Sequence, residues 1–308
     1  MLDPAGNRPT SRAWTELLHA EVAYTLRRAG IPVLHIKGPT VGLWLYEDGE
    51  RHWGDVDILV PPDRMHEALA VLQRKGLDEI NPGVNRHTSS DHAIPLRRKD
   101  PAIGWDDVDV HDRFEGLDRD PTATFAELWR RREPARLAHT DVWFPDLPSR
   151  AVLVALNAAR GGGTAKSLED LARLLRITTE PEWELVLALA GRLDALPALR
   201  AGLELLPDGR QVVATTSLHT VPVSPEWRLR VSAAPRTALR IEELSRVPWS
   251  RRPRVVWRWL FPPVAVLRMR DPRAEGPAGV VLAHARRLQD GARSLPGALA
   301  ELRRSRRS

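Results

Sequence analysis

Cysteine is absent from all 308 residues. That excludes disulfides, thiolate zinc sites and a cysteine nucleophile. Lysine is scarce, four residues beside 42 arginines, and there are only two tyrosines. No apolar run approaches the ~20 residues of a membrane-spanning helix. The best stretch, 253–269, is broken by Arg254, Arg258, Pro262, Pro263 and Arg268, so no membrane association is expected. The chain does not open on a basic segment followed by an apolar one, so no signal peptide and a cytoplasmic location are expected.

The remaining composition, 43% hydrophobic and 28% charged, is that of a globular chain, and the length suits about two domains at ~150 residues each. Charge is unevenly spread. Residues 251–308 hold 14 basic and four acidic residues, which leaves 32 and 36 for residues 1–250. The body is thus acidic overall, and the basic end reads either as a solvated or loosely ordered end or as a contact for nucleic acid or an acidic partner.

Helical spacing of Leu17, Leu18, Val22 and Leu26 marks a helix over 11–29, stopped at Gly30-Ile31-Pro32. IPVLHIK then reads as a buried strand that ends at Lys37-Gly38-Pro39-Thr40 before a second helical run, VGLWLY. GDVDILV is a strand in which Val56, Ile58 and Val60 face one way and Asp55 and Asp57 the other. A helix over 63–76 follows. Two alternating segments, 92–99 and 105–114, promise an antiparallel pair. Beyond Asp146-Leu147-Pro148 the texture becomes helical, with helices expected over 149–160, 165–176 and 181–206 and another near 235–247. The boundaries drawn are 1–146, 147–250 and 251–308.

Two carboxylates on one strand face repel each other unless a cation lies between them, and a divalent metal meets that need. A wet strand face kept acidic for solubility is the plainer alternative. Asp107 and Asp109 share a face of the 105–114 strand, so one of them can join Asp55 and Asp57 if the strands are neighbours. Gly38 and Gly54 leave backbone room for phosphate, and Lys37 and Arg51 offer charge to neutralise it. His111 lies on the same face as Asp109 and reads as a substrate contact or a holder of a carboxylate. His66, His87 and His92 lack the spacing of a zinc site. Trp53 reads as packing or as a stacking surface for a base, and Asp170 as solvated or as a partner of Arg173.

VLHIKGPTVGLWLY, then Arg51, GDVDILV, VDVHDRF and SLEDLARLL together resemble the bacterial nucleotidyltransferase-like family of the polymerase-beta-type nucleotidyltransferase superfamily, over about residues 10–180. Members occur in biosynthetic clusters beside peptide-modifying enzymes. The resemblance implies an α+β fold, a small mixed sheet with flanking helices followed by a mainly helical domain. It implies Mg2+ as cofactor, two ions with Mn2+ as a substitute, held by Asp55, Asp57 and Asp109, with Asp109 also activating the acceptor hydroxyl. Lys37, Gly38, Thr40, Arg51 and Gly54 would hold the NTP, and His111 would touch substrate. The implied reaction moves an NMP from an NTP to an acceptor such as a peptide, a small molecule or RNA. This chain departs from the family pattern in having Asp112 where the family has tryptophan and Asn157 where it has histidine. A catalytically silent nucleotide- or peptide-binding module is the alternative, and a metal-dependent glycosyltransferase a further one, although only 54 residues precede Asp55.

Overall fold

The computed structural model describes residues 11–80, 93–100, 104–232, 234–271 and 273–307. Helix α1 (Ser11–Arg28) leads through β1 (Leu34–His35) and α2 (Pro39–Leu45) to β2 (Val56–Leu59), α3 (Met65–Gln73), β3 (Asp78–Glu79), β4 (Ala93–Asp100) and β5 (Gly104–His111). Leu18, Val22 and Leu26 of α1 are buried, whereas Leu17 points to solvent. The helix ends where Gly30 takes φ +67°, and the Ile31 N–H donates back to the Leu26 carbonyl at 3.0 Å.

The five strands run in the order β1-β2-β5-β4-β3. β2 and β5 are parallel and the other neighbours antiparallel, so the sheet is mixed. The expected antiparallel pair is β4 with β5. His87 and His92 lie outside the described residues, as do residues 101–103 of the turn expected between these strands. Period-two alternation splits the strands between two cores. Val56, Ile58, Val60, Val108 and Val110 pack with Leu18, Val22, Leu26, Leu69 and Leu72 of α1 and α3. Leu34, Ile36 and Leu59 turn the other way and join a second core with Val41 of α2 and a row of later helices.

Helix α4 (Pro121–Arg130) and a hairpin of β6 (Glu133–Leu137) and β7 (Thr140–Phe144) come next. The sequence reading did not anticipate this hairpin. Its turn is Ala138-His139, both at positive φ (43° and 63°), so the glycine that usually betrays such a turn is missing. Helix α5 (Leu147–Arg160) starts at Asp146, whose carboxylate accepts the Ser149 N–H at 3.1 Å. Then follow α6 (Ala165–Ile177), α7 (Glu180–Arg192), α8 (Leu196–Leu203), α9 (Pro207–Thr215), α10 (Pro225–Val231), α11 (Arg236–Arg246), α12 (Arg252–Leu260), α13 (Val264–Arg270) and α14 (Gly276–Arg307). The single helix expected over 181–206 is two, because Asp194 takes φ +54° and Pro197 begins a new first turn. α8 approaches α5 so closely that a Cβ on Gly202 would lie 2.2 Å from the Ala155 carbonyl oxygen. α14 packs on α10 and α11 through Leu302 and Ala298 against Leu229 and Ala238.

Candidate active site

Parallel pairing of β2 with β5 sets Asp57 directly beside Asp109 and Leu59 beside His111. Paired residues on neighbouring strands point to the same face, so the two carboxylates emerge side by side. Donor atoms of Asp57, Asp109 and His111 all lie within 4.8 Å of one another. Asp57 is buried, with its Oδ1 3.0 Å from His111 Nε2, which donates to it. Lys37 Nζ also donates to that oxygen. Burial alone would raise the Asp57 pKa, but the His111 hydrogen bond and the Lys37 charge overcome it and hold Asp57 well below the usual carboxylate range. Asp109 has the opposite environment: desolvation, then the charge of Asp57, pushes its pKa up.

Asp55 stands at the exposed edge of the cleft, outside the three-residue cluster. Desolvation of its carboxyl within the cleft and the Asp57 charge raise its pKa, while Lys37 and Lys166 act to lower it. Asp107 is drawn elsewhere. It sits opposite Arg97 on β4 and accepts from its guanidinium at 2.6 and 3.0 Å. Of the two candidates on β5, Asp109 is therefore the one brought to Asp57.

The turn before α2 lies beside this cluster, with Lys37 at its start reaching Asp57. Gly38 has φ +60°, in the left-handed region that glycine tolerates, and a Cβ there would come within 3.5 Å of His19 Nε2 and the Trp53 side chain. Thr40 is buried in the first turn of α2, and its Oγ1 has no hydrogen-bond partner among the described residues. Gly54 lies exposed immediately before Asp55. Trp53 is buried under the Arg12 guanidinium, 4.7 Å from its ring, and against Gly42, which makes it packing for α2.

Arg51 does not face the cleft as a loose cation. Its Nε and Nη2 donate to the two oxygens of Asp170, each at 2.8 Å, and its Nη1 donates to the Gly38 carbonyl at 3.1 Å. Both side chains are buried, at 8% and 5% exposure. The Tyr46 hydroxyl donates to Asp170 Oδ1 at 2.7 Å. Asp170 is thus neither solvated nor the partner of Arg173, which pairs with Glu169 and Glu50. The sequence carried a signal for this: Asp170 shares the apolar stripe of α6 with Ser167, Leu171 and Leu174, where an unpaired charge is costly. Lys166, one of the four lysines, is a second cation that sequence reasoning passed over. It sits on α6 within electrostatic reach of Asp55.

Behind the Gly38 turn, His19 Nδ1 and His35 Nδ1 lie 2.7 Å apart, both rings buried. Burial lowers the His19 pKa to about 3, and burial together with the neighbouring ring lowers that of His35. Both are neutral, so one ring donates its Nδ1–H to the bare Nδ1 of the other.

The Asp57 and Asp109 carboxylates, side by side next to a partly buried lysine and with His111 holding Asp57, form a donor set that fits a hard divalent cation. No curated protein matches the chain. Seven chains of solved structures do. One is an antigenic nucleotidyltransferase-like protein from Paracoccidioides brasiliensis, 14% identical, covering 63% of this chain and 95% of its own, with a TM-score of 0.40. Another is the antibiotic-resistance factor ANT(2'')-Ia, 13% identical over 61% of this chain and 96% of its own, also at 0.40. The model of a family described as uncharacterised nucleotidyltransferase matches residues 11–208, which takes in the sheet, the Gly38 turn, Asp57, Asp109 and Asp170, and the chain belongs to that family.

Proposed function

We propose that the protein transfers a nucleoside monophosphate from an NTP to an acceptor hydroxyl, with release of pyrophosphate. The observation that supports this most is the parallel β2–β5 register, which puts Asp57 and Asp109 side by side next to the Gly38 turn. Asp57 and Asp109 would hold Mg2+, with Asp55 at the open edge as a further ligand and His111 orienting Asp57. The cation would supply charge stabilisation at the α-phosphate.

The chain's own residues account for the rest. Asp109, with its raised pKa, is suited to take the acceptor's proton. Lys37 is placed to exchange Asp57 for phosphate oxygens once a cation neutralises that carboxylate, and Lys166 adds positive charge across the cleft. The Thr40 hydroxyl, which has no hydrogen-bond partner among the described residues, would be a further donor to phosphate. Arg51 acts at one remove, tying the Gly38 carbonyl to Asp170. Family membership favours nucleotidyl over glycosyl transfer. The ion pair of Lys37 with Asp57 favours a second reading, a nucleotide-binding module without turnover.

Purified protein incubated with each α-labelled NTP, Mg2+ or Mn2+, and peptide, small-molecule or RNA acceptors tests the proposal. The expected result is label transfer that Asp57→Asn and Asp109→Asn each reduce by at least ~100-fold, in line with removal of a charge-stabilising group. Nucleotide binding with no transfer to any acceptor would favour the binding module.

A further inference from the structure

A second cavity, of about 930 Å³, opens among α10, α11, α12 and the end of α5, mostly beyond the residues matched by the family. Eight arginines and three glutamates line it, an excess of five positive charges. Part of that charge is already paired. Arg230 holds Glu115 and Glu226, and Arg246 also reaches Glu226. Arg236 and Arg251, both exposed, have no carboxylate partner among the described residues. Arginine in this setting suits phosphate, because its planar fork binds two oxygens at once and also stacks on flat rings.

The α12 wall adds a second observation. Its nine residues, RPRVVWRWL, include two tryptophans, two valines and a leucine, yet none of them is buried. Trp259 lines the cavity, half-buried with the Arg240 guanidinium 5.9 Å from its ring, and Trp249, between the lining residues Pro248 and Arg251 in the chain, is 80% exposed beneath the Arg252 guanidinium at 3.8 Å. Tryptophan is seldom left this bare without a partner. Interleaved arginines and exposed aromatic faces are what a single strand of nucleic acid needs: cations for its backbone and π-faces for its unpaired bases. A lipid surface would be met by a flat or convex face, whereas these arginines converge into a hollow. An acidic peptide would use the charges but leave the aromatic faces unused.

We propose that this arginine-lined cavity, with Trp259 on its wall and Trp249 at its edge, binds single-stranded nucleic acid. The site stands independently of the transfer reaction. It also lies close to it: Glu115 in the wall is four residues beyond His111, a span of at most about 14 Å of extended chain. On the reading of nucleotidyl transfer, a strand seated here is the acceptor, its end directed toward Asp109.

The test measures binding of fluorescein-labelled U12 and dT12 to the full chain by anisotropy, without NTP or divalent metal, between 50 and 300 mM KCl. Wild-type protein is expected to bind at least one of the two, with affinity falling as salt rises. Replacing Arg236→Glu and Arg251→Glu together should weaken binding at least tenfold and flatten the log–log salt slope by about 1.4, at about 0.7 per phosphate contact. Trp249→Ala should weaken it several-fold with little effect on the slope. Thermal melts of each variant report whether the fold is intact, and Arg236→Gln with Arg251→Gln serves if charge reversal perturbs it. No binding of either oligonucleotide at 50 mM salt overturns the proposal. So does a folded charge variant that binds like wild type, a decaglutamate peptide that displaces the strand as well as unlabelled U12 does, or anionic phosphatidylglycerol vesicles that bind in its place. Because no NTP is present, failure here is distinguishable from failure of the transfer reaction.

Discussion

Replacing Asp170 with asparagine keeps the volume of the side chain and removes its charge. Arg51 then stays in place at 8% exposure with one amide oxygen and the Gly38 carbonyl for five N–H donors. Breaking a buried ion pair from one side costs about 3–5 kcal/mol, and because asparagine keeps one acceptor the low end applies, about 3 kcal/mol. At about 2–4 °C per kcal/mol for a unit of 150–250 residues, the melting temperature should drop by about 6–12 °C. Differential scanning calorimetry on wild type, Asp170→Leu, Arg51→Met and the double variant completes the experiment. Each single variant strands one buried charge, whereas the double variant strands none, so it should be more stable than the sum of the two losses by at least about 2 kcal/mol. Losses that simply add, or an Asp170→Asn melt within 2 °C of wild type, would refute the claim that this pair holds the Gly38 turn against α6.

Gly202→Ala should destabilise strongly, by about 3 kcal/mol or more in urea unfolding, because the new Cβ meets the Ala155 carbonyl oxygen at 2.2 Å and neither backbone can yield easily. Helix propensity alone would have the same change stabilise by up to ~1 kcal/mol, so the sign of the effect decides. Stability should also fall as the pH drops from about 6.5 toward about 3. His19 stays neutral when folded, with a pKa near 3, but takes up a proton at about 6.5 when unfolded, so the unfolded chain binds more protons across that window. His19→Gln should flatten the curve of unfolding free energy against pH there, and a parallel curve would count against the buried neutral ring. Mg2+ or Mn2+ at a hundred times its dissociation constant should raise the unfolding free energy by about 2.7 kcal/mol, and Asp109→Asn should abolish that increment in the same titration.

Much of the sheet unit could be read from the sequence because its signals are local. Alternation in GDVDILV and WDDVDVHDRF sorted the two faces correctly, and Gly38 and Gly30 marked real left-handed turns. Local signals fail where partners are distant in the chain. Asp107 and Asp109 look alike along the strand, and only the pairing of β4, which gives Asp107 to Arg97, separates them. Arg51 and Asp170 are 119 residues apart, so the arginine reads as a loop cation and the aspartate as a surface one until the fold joins them. The hairpin escaped notice because Ala138 and His139 adopt a conformation their side chains disfavour, held by the ladder on both sides. The arginine cavity depends on α10, α11 and α12 meeting the end of α5, none of which a periodicity analysis can place in space.

One apolar cluster runs from Leu34, Ile36 and Leu59 under the sheet, through Phe114, to Leu156, Leu189 and Leu199 of α5, α7 and α8. A fragment ending at residue 146 would therefore carry the acidic pair but bare one whole side of its sheet to water, and it should aggregate rather than fold. The sheet half and the helical half share one core for the same reason, so a change that loosens α8 is felt in the packing beneath the strands that carry Asp57 and Asp109.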